Sequence, residues 1–251
     1  MNLQEIEQRI NKAPELNFGN IFDESTALFK KVWLQGLVII LLTVLLMLPI
    51  YPIFFISFLG VEALEIPTTY SIENNDIWVA IPSILLMIIF MLYAMVISFA
   101  FQAAFFRICR NEDLALGEVN NYFYYFKGKY ISKILLIGLA SFGISLVAML
   151  LCLFPLIYVS VPISFFALVF AFNPELSVSE IIKASFSLGN KKWLITFGLT
   201  IIASFLAQII GMLLCFVGVL FTASFVYLPT YFVYKKVVGF KEQTDRNFID
   251  L

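Results

Sequence analysis

Four stretches of this chain, residues 32–61, 77–106, 134–174 and 193–234, contain no Asp, Glu, Lys or Arg. A bilayer core about 30 Å thick is crossed by roughly 20 helical residues. Within that core only a helix or a closed barrel satisfies every backbone N–H and C=O. The first two stretches are each long enough for one span, the second projecting beyond the core. The last two are long enough for two spans each, and Gly or Pro falls near their midpoints, in LCLFPL (151–156) and GMLLCFVG (211–218). The expectation is an all-α membrane protein: six transmembrane helices as three hairpins in a single integral membrane domain, 1–251. Composition agrees, with 61% hydrophobic and 13% charged residues, against about 45–50% and about 25% in soluble domains.

The charges left over give an orientation. All 16 Lys and Arg residues fall in the N-terminal segment, in 107–133, in 183–192 and in the C-terminal tail, while the loop VEALEIPTTYSIENND (61–76) holds four acids and no base. By the positive-inside rule both termini are cytoplasmic. Residues 1–14 are no secretory signal, having acids where a basic region would stand and no apolar run. Leu3, Ile6 and Ile10 share one helical face there, and Asn2 with Glu5 spells a capping box, so a short amphipathic helix ending near Pro14 is expected. Residues 239–251 read as a polar cytoplasmic tail.

One pattern is written three times. Lys30–Lys31 precede Trp33, Lys127 and Lys129 precede Tyr130, and Lys191–Lys192 precede Trp193. Upstream of each ring lies a segment with helical apolar spacing. Ile21, Phe22, Ser25, Leu28 and Phe29 form one face of the first, and Val178, Ile181, Ile182, Ser185 and Leu188 one face of the third. Ser177 and Glu180 spell a capping box at the start of the third. NEDLALGEV (111–119) echoes NPELSVSEI (173–181), and MLLC recurs at 149–152 and 212–215, 63 residues apart. Ala140, Ile144 and Ala148 match Ala203, Ala207 and Gly211, while Ser141 and Ser145 match Ser204 and Gln208. Small residues at this spacing let helices pack closely in lipid. The reading is a pseudo-threefold repeat with units near 16–110, 111–172 and 173–238, each hairpin preceded by a cytoplasmic amphipathic helix.

The chemistry open to such a chain is narrow. It has no histidine, which removes the commonest general base and transition-metal ligand, and no carboxylate falls inside a span to serve a triad. No catalytic residue, cofactor or metal site is expected, and no enzyme. Glu112, Asp113, Glu118, Glu175 and Glu180 stand at helix-start positions, where negative charge favours the dipole. Cys109, Cys152 and Cys215 make no metal spacing. Cys152 and Cys215 lie near the outer tips, where a disulfide is geometrically open and apolar packing is the expectation. The polar groups inside the spans are Gln102, Gln208, Ser98, Ser141, Ser145, Ser204 and Thr200. They read as interhelical hydrogen-bonding groups, the alternative being the lining of a solute path.

The stretches ALFKKVWLQGLVIILL (27–42) and LSVSEIIKASFSLGNKKWLITFGL (176–199), with the Pro-containing last span YLPTYFVY (227–234), carry a family resemblance. The chain resembles uncharacterised six-helix bacterial membrane families and is similar to the membrane domain attached to some glycerophosphoryl diester phosphodiesterases. The resemblance implies six spans and a bacterial inner-membrane setting. It does not imply phosphodiesterase activity, because no such domain is written here. Membrane proteins of this look are sometimes labelled carotenoid-cleaving oxygenases; those hold iron through histidines, which this chain lacks.

The functional expectation is a non-enzymatic protein whose cytoplasmic helices engage lipid, preferably anionic headgroups, or a protein partner or second copy, and not nucleic acid. The residues that would do so are Lys30, Lys31, Trp33, Lys127, Lys129, Tyr130, Lys191, Lys192 and Trp193. The alternative is a transporter, channel or lipid-handling permease with Gln102, Gln208, Ser141 and Ser204 along a path between hairpins.

Overall fold

A computed structural model describes residues 1–52, 77–151, 153–214 and 217–240. Cys152, Cys215, the acidic loop 61–76 and the tail beyond residue 240 lie outside the described residues. Among those described, every regular element is helical. Five helical segments are long and apolar enough to cross a membrane. They are α2 (Phe18–Met47), most of α3 (Ile77–Asp113), α4 (Gly128–Leu150), α5 (Leu153–Ser164) continued by α6 (Phe166–Phe172), and α8 (Trp193–Leu213). Two shorter helices, α1 (Leu3–Asn11) and α7 (Val178–Lys191), carry the amphipathic faces read above.

The sixth expected span is built in pieces: α9 (Val217–Thr222), a 3-10 turn over Ala223–Tyr227, and α10 (Leu228–Val237). Its chemistry explains the break. Pro229 offers no N–H to the preceding turn, and the Thr222 hydroxyl donates to the Gly218 and Ala207 carbonyls at 3.0 and 2.8 Å. A proline also separates α5 from α6: Pro162 cannot donate, and Ser160 and Ser164 bond back to Ile157 and Val161 carbonyls, which bends a helix.

Neighbouring helices pair along the chain, α2 with α3, α4 with α5 and α8 with α9. Tyr93 of α3 donates to the Leu46 carbonyl at 2.9 Å, and Gly211 of α8 admits Val219 of α9, which a Cβ there would strike. The pairs converge at the lysine-bearing end. The last turns of α3 and most of α6 and α10 are buried there. Phe99 meets Phe170 at 5.7 Å, Phe172 meets Tyr234 at 5.4 Å, and Phe106 meets Tyr227 at 6.1 Å. At the opposite end the helices turn leucines, isoleucines and methionines outward, as at Ile84, Leu85, Val147, Phe205 and Leu213. Exposed apolar surface on that scale is what lipid covers.

Two parts of the expected repeat take a different form. In unit one the amphipathic segment and the span are one helix, α2, running unbroken through Lys30, Lys31 and Trp33. In unit two no amphipathic helix forms: 114–123 is turn and extended chain leading to a 3-10 turn at Tyr124–Phe126. Where unit three has the capping Ser177, unit two has Ala115, at φ 49°, followed by Gly117 at φ 69°. Alanine cannot accept the N–H that starts a helix. The Asn111 side chain holds the loop instead, bonding the backbone of Glu118 at 2.6 and 3.0 Å and the Asn120 side chain at 2.9 Å.

Candidate functional site

In unit three, Ser177 and Glu180 form the full capping box: the Glu180 N–H donates to Ser177 Oγ and the Ser177 N–H to Glu180 Oε2. The Ser177 N–H and, at 2.7 Å, the Ser177 hydroxyl donate to the carboxylate and hold the Glu180 carboxyl below the usual glutamate range. The helix so started buries Ile181, Ala184, Ser185 and Leu188 against α1, α5 and α6. The Asn2–Glu5 box forms only by half, since Asn2 caps the helix while Glu5 pairs with Arg9 at 2.8 Å. Ile6 and Ile10 of α1 are buried too. Both amphipathic faces are therefore spent inside the protein, not against lipid. Periodicity identifies an apolar face but not what covers it.

The three rings sit in three environments. Trp33 is 41% exposed and lies on Phe221, ring centres 6.0 Å apart. Trp193 is half-buried, stacked on Phe197 at 4.7 Å and on Tyr158 at 6.3 Å, and its Nε1–H donates to the Tyr158 carbonyl at 3.0 Å. Tyr130 is buried among Tyr124, Tyr125 and Phe170. Phe221 and Tyr158 are themselves 63 residues apart, so Trp33 and Trp193 rest on matching positions of two second helices.

The residue four before each ring makes a corresponding contact. Phe29 meets Phe225 at 5.3 Å, Phe126 meets Phe101 at 4.9 Å, and Gly189 lies so near Pro162 that a Cβ would stand 2.7 Å from its Cα. Each unit thus leans on the second helix of another, one on three, three on two, two on one.

The lysines differ as well. Lys30, Lys31 and Lys191 are exposed, and among the described residues no carboxylate stands within ion-pair distance of any of them. Lys192 donates to the Pro14 carbonyl at 2.7 Å. Lys127 and Lys129 lie over the Tyr124 and Tyr130 rings at 5.2 and 4.7 Å. Arg107 covers Tyr124 at 3.8 Å and reaches Glu118 at 3.3 Å. The Tyr124 phenol is lowered, first by the hydrogen bond from Tyr130 and further by the Arg107 charge, while burial pushes Tyr125 up.

Two hollows lie below the lysines. One, of about 190 Å³ between α2, α3 and the 223–227 turn, is lined by Gly36, Thr43, Ser98, Gln102, Ser224 and Tyr227. The other, of about 260 Å³ between α5 and α8, is lined by Ser160, Ser164, Phe197, Thr200, Ser204 and Phe205. Gln102 and Ser204 are thereby placed in separate hollows. Gln208 faces outward from α8, and Ser141 is half-buried on α4. Ser224 lies outside the sequence-based set; a serine in an apolar run was the only signal in the sequence, and its meeting with Gly36 is tertiary.

An all-helical chain with five apolar helices of spanning length and a cationic end belongs to the class of multi-pass membrane proteins. Compared with protein-family descriptions, curated proteins and solved structures, it finds no match.

Proposed function

We propose that this is a non-enzymatic bacterial inner-membrane protein of six spans in three hairpins, with both termini cytoplasmic, that engages anionic lipid headgroups through its cytoplasmic rim. One observation carries the reading: Lys30, Lys31 and Lys191 are exposed beside Trp33 and Trp193, and among the described residues no carboxylate is paired to them. A cation at that depth attracts anionic lipid by about 1 kcal/mol each near the surface, and an aromatic ring at the boundary fixes its height. The corresponding contacts Phe29–Phe225, Phe126–Phe101 and Gly189–Pro162 support the threefold layout, with the short 217–237 pieces as the sixth span.

The test is the variant Lys30→Gln, Lys31→Gln, Lys191→Gln, Lys192→Gln, extracted from vesicles of mixed phosphatidylglycerol and phosphatidylcholine. Enrichment of phosphatidylglycerol around the native chain should fall toward the bulk ratio. Unchanged enrichment sinks the reading. A second reading, transport along a path between hairpins, is supported by Gln102 in the α2–α3 hollow; it requires Gln102→Leu to abolish a flux across reconstituted vesicles.

A further inference from the structure

The three lysine-and-ring stations differ in what lies beneath them. Below Trp193, on the same face of α8, Phe197, Thr200 and Ser204 follow at helical spacing along the groove shared with α5. Below Trp33, the matching positions Ile40 and Val44 line the hollow shared with α3 and the 223–227 turn. In unit two the seam is filled: Met95 packs into the space left by Gly138, where a Cβ would meet its sulfur at 2.5 Å. The lysines of that unit are engaged by tyrosine rings. Among the described residues, hollows lie beneath two stations, and Met95 occupies the seam beneath the third.

Each open hollow begins at Gly36 or Phe197, five residues below Lys31 or Lys192, and runs into the apolar depth. Thirteen residues separate Lys31 from Val44 and Lys192 from Phe205, about 20 Å of helix, somewhat more than half of a bilayer core about 30 Å thick. At about 190 and 260 Å³ both exceed the roughly 150 Å³ that admits a benzene, which is room for a length of one hydrocarbon chain. In the first hollow Ser224, 2% exposed, keeps a buried hydroxyl with no partner. It packs against Gly36, one turn below Trp33, the depth at which an ester carbonyl hangs beneath a headgroup held by Lys30 and Lys31. A donor left unpaired in an apolar wall is costly, and an ester carbonyl there would accept its proton.

We infer that units one and three each hold one anionic diacyl phospholipid, its phosphate on the lysine pair and one acyl chain in the hollow below, and that unit two holds none. This rests on the headgroup reading and adds the chain, the ester contact and the number of sites.

Native mass spectrometry of the full chain in detergent, with dioleoyl phosphatidylglycerol added, tests it. The unaltered chain should retain two lipids. Ser204→Leu and Val44→Phe, which narrow the two hollows, should each leave one, and the double variant none. Ser224→Ala should weaken retention of one lipid only. Glycerophosphoglycerol, which has the headgroup and no chains, and inorganic phosphate should not be retained. Where a narrowing variant unfolds, the native protein still decides: retained lipid with brominated chains should quench Trp33 and Trp193 fluorescence in a Trp78→Phe background, and no quenching overturns the inference. Retention lost on neutralising the lysines but unmoved by narrowing overturns the chain sites and leaves the headgroup reading standing. Retention moved by neither overturns both. A dimer that dissociates on Ser204→Leu makes the groove a protein contact and also overturns the inference.

Discussion

The indole N–H of Trp193 is bonded, at 3.0 Å, to the Tyr158 carbonyl, the carbonyl whose helical partner four residues on is Pro162. Proline has no N–H to give, so α5 carries an acceptor that its own backbone cannot satisfy. The first residue of α8 satisfies it. The Tyr158 hydroxyl donates in turn to Asn190 at 2.7 Å, and Gly189 fits against the proline ring. What reads in sequence as a boundary anchor is, in the fold, also the closure of a joint between α5 and α8.

Trp193→Phe keeps the stacking and removes the donor. It is expected to cost about 0.5–1.5 kcal/mol, the net worth of a hydrogen bond that is not buried within the protein. In a Pro162→Ala background the carbonyl recovers a backbone donor, so the same change should cost less. Unfolding of the four proteins in detergent, followed by helical circular dichroism, closes the cycle; additive losses would show that the bond carries no stability.

Two glycines should respond oppositely to alanine. Gly189→Ala drives a methyl into the Pro162 backbone and should destabilise the protein by about 1–3 kcal/mol. Gly143 on α4 has open space around its missing Cβ, and Gly143→Ala should raise stability by roughly 0.5–1 kcal/mol. Melting temperatures of the two variants beside the native chain decide this.

Asp113 accepts from Lys235 at 2.6 Å and from the Tyr231 hydroxyl at 2.8 Å and is mostly shielded, whereas the Lys236–Glu24 pair at 2.8 Å is far more open. Removing the Asp113 carboxylate orphans two sheltered donors. Asp113→Ala should cost roughly 2 kcal/mol and Glu24→Ala less than about 1 kcal/mol. Equal losses in chemical unfolding would contradict the difference in shelter.

The capping box makes the first turn of α7 sensitive to acid. The Glu180 carboxyl is lowered in the folded protein by the Ser177 N–H and hydroxyl. A lowered carboxyl contributes stability above its unfolded range, and that contribution is lost as pH falls through the folded value. Amide exchange at Val178–Ile181 should therefore quicken below the ordinary glutamate range, and Ser177→Ala should flatten that dependence. Acid-independent exchange in the native chain would count against it.

The signals that were legible are those written in neighbouring residues. Ser177 and Glu180 are three apart, and their box forms as spelled. Ala115 at the matching place of unit two was equally visible, yet the echo of NEDLALGEV with NPELSVSEI hid it, because similarity of apolar positions says nothing of the one side chain that must accept an N–H. The apolar face of α7 forms as spelled, and of the two coverings open to it, lipid or the base of the bundle, Ile181 and Leu188 meet protein. Gln102 and Gln208 looked alike as polar residues in apolar runs, but one lines a hollow and the other faces outward.

The sequence by itself determined the class: lipid leaves the backbone only a helix or a closed barrel, these charge-free runs are far longer than a barrel strand of about 9–11 residues, and prolines and caps act within a turn of where they stand. The tertiary structure alone decided that Met95 occupies one seam while hollows lie beside two others, and that Lys127 and Lys129 lie on rings while, among the described residues, Lys30, Lys31 and Lys191 form no ion pair. Those outcomes depend on contacts between residues such as Gly36 and Ser224, far apart in the chain, whose meeting is fixed by how whole helices pack and not by any spacing along one of them.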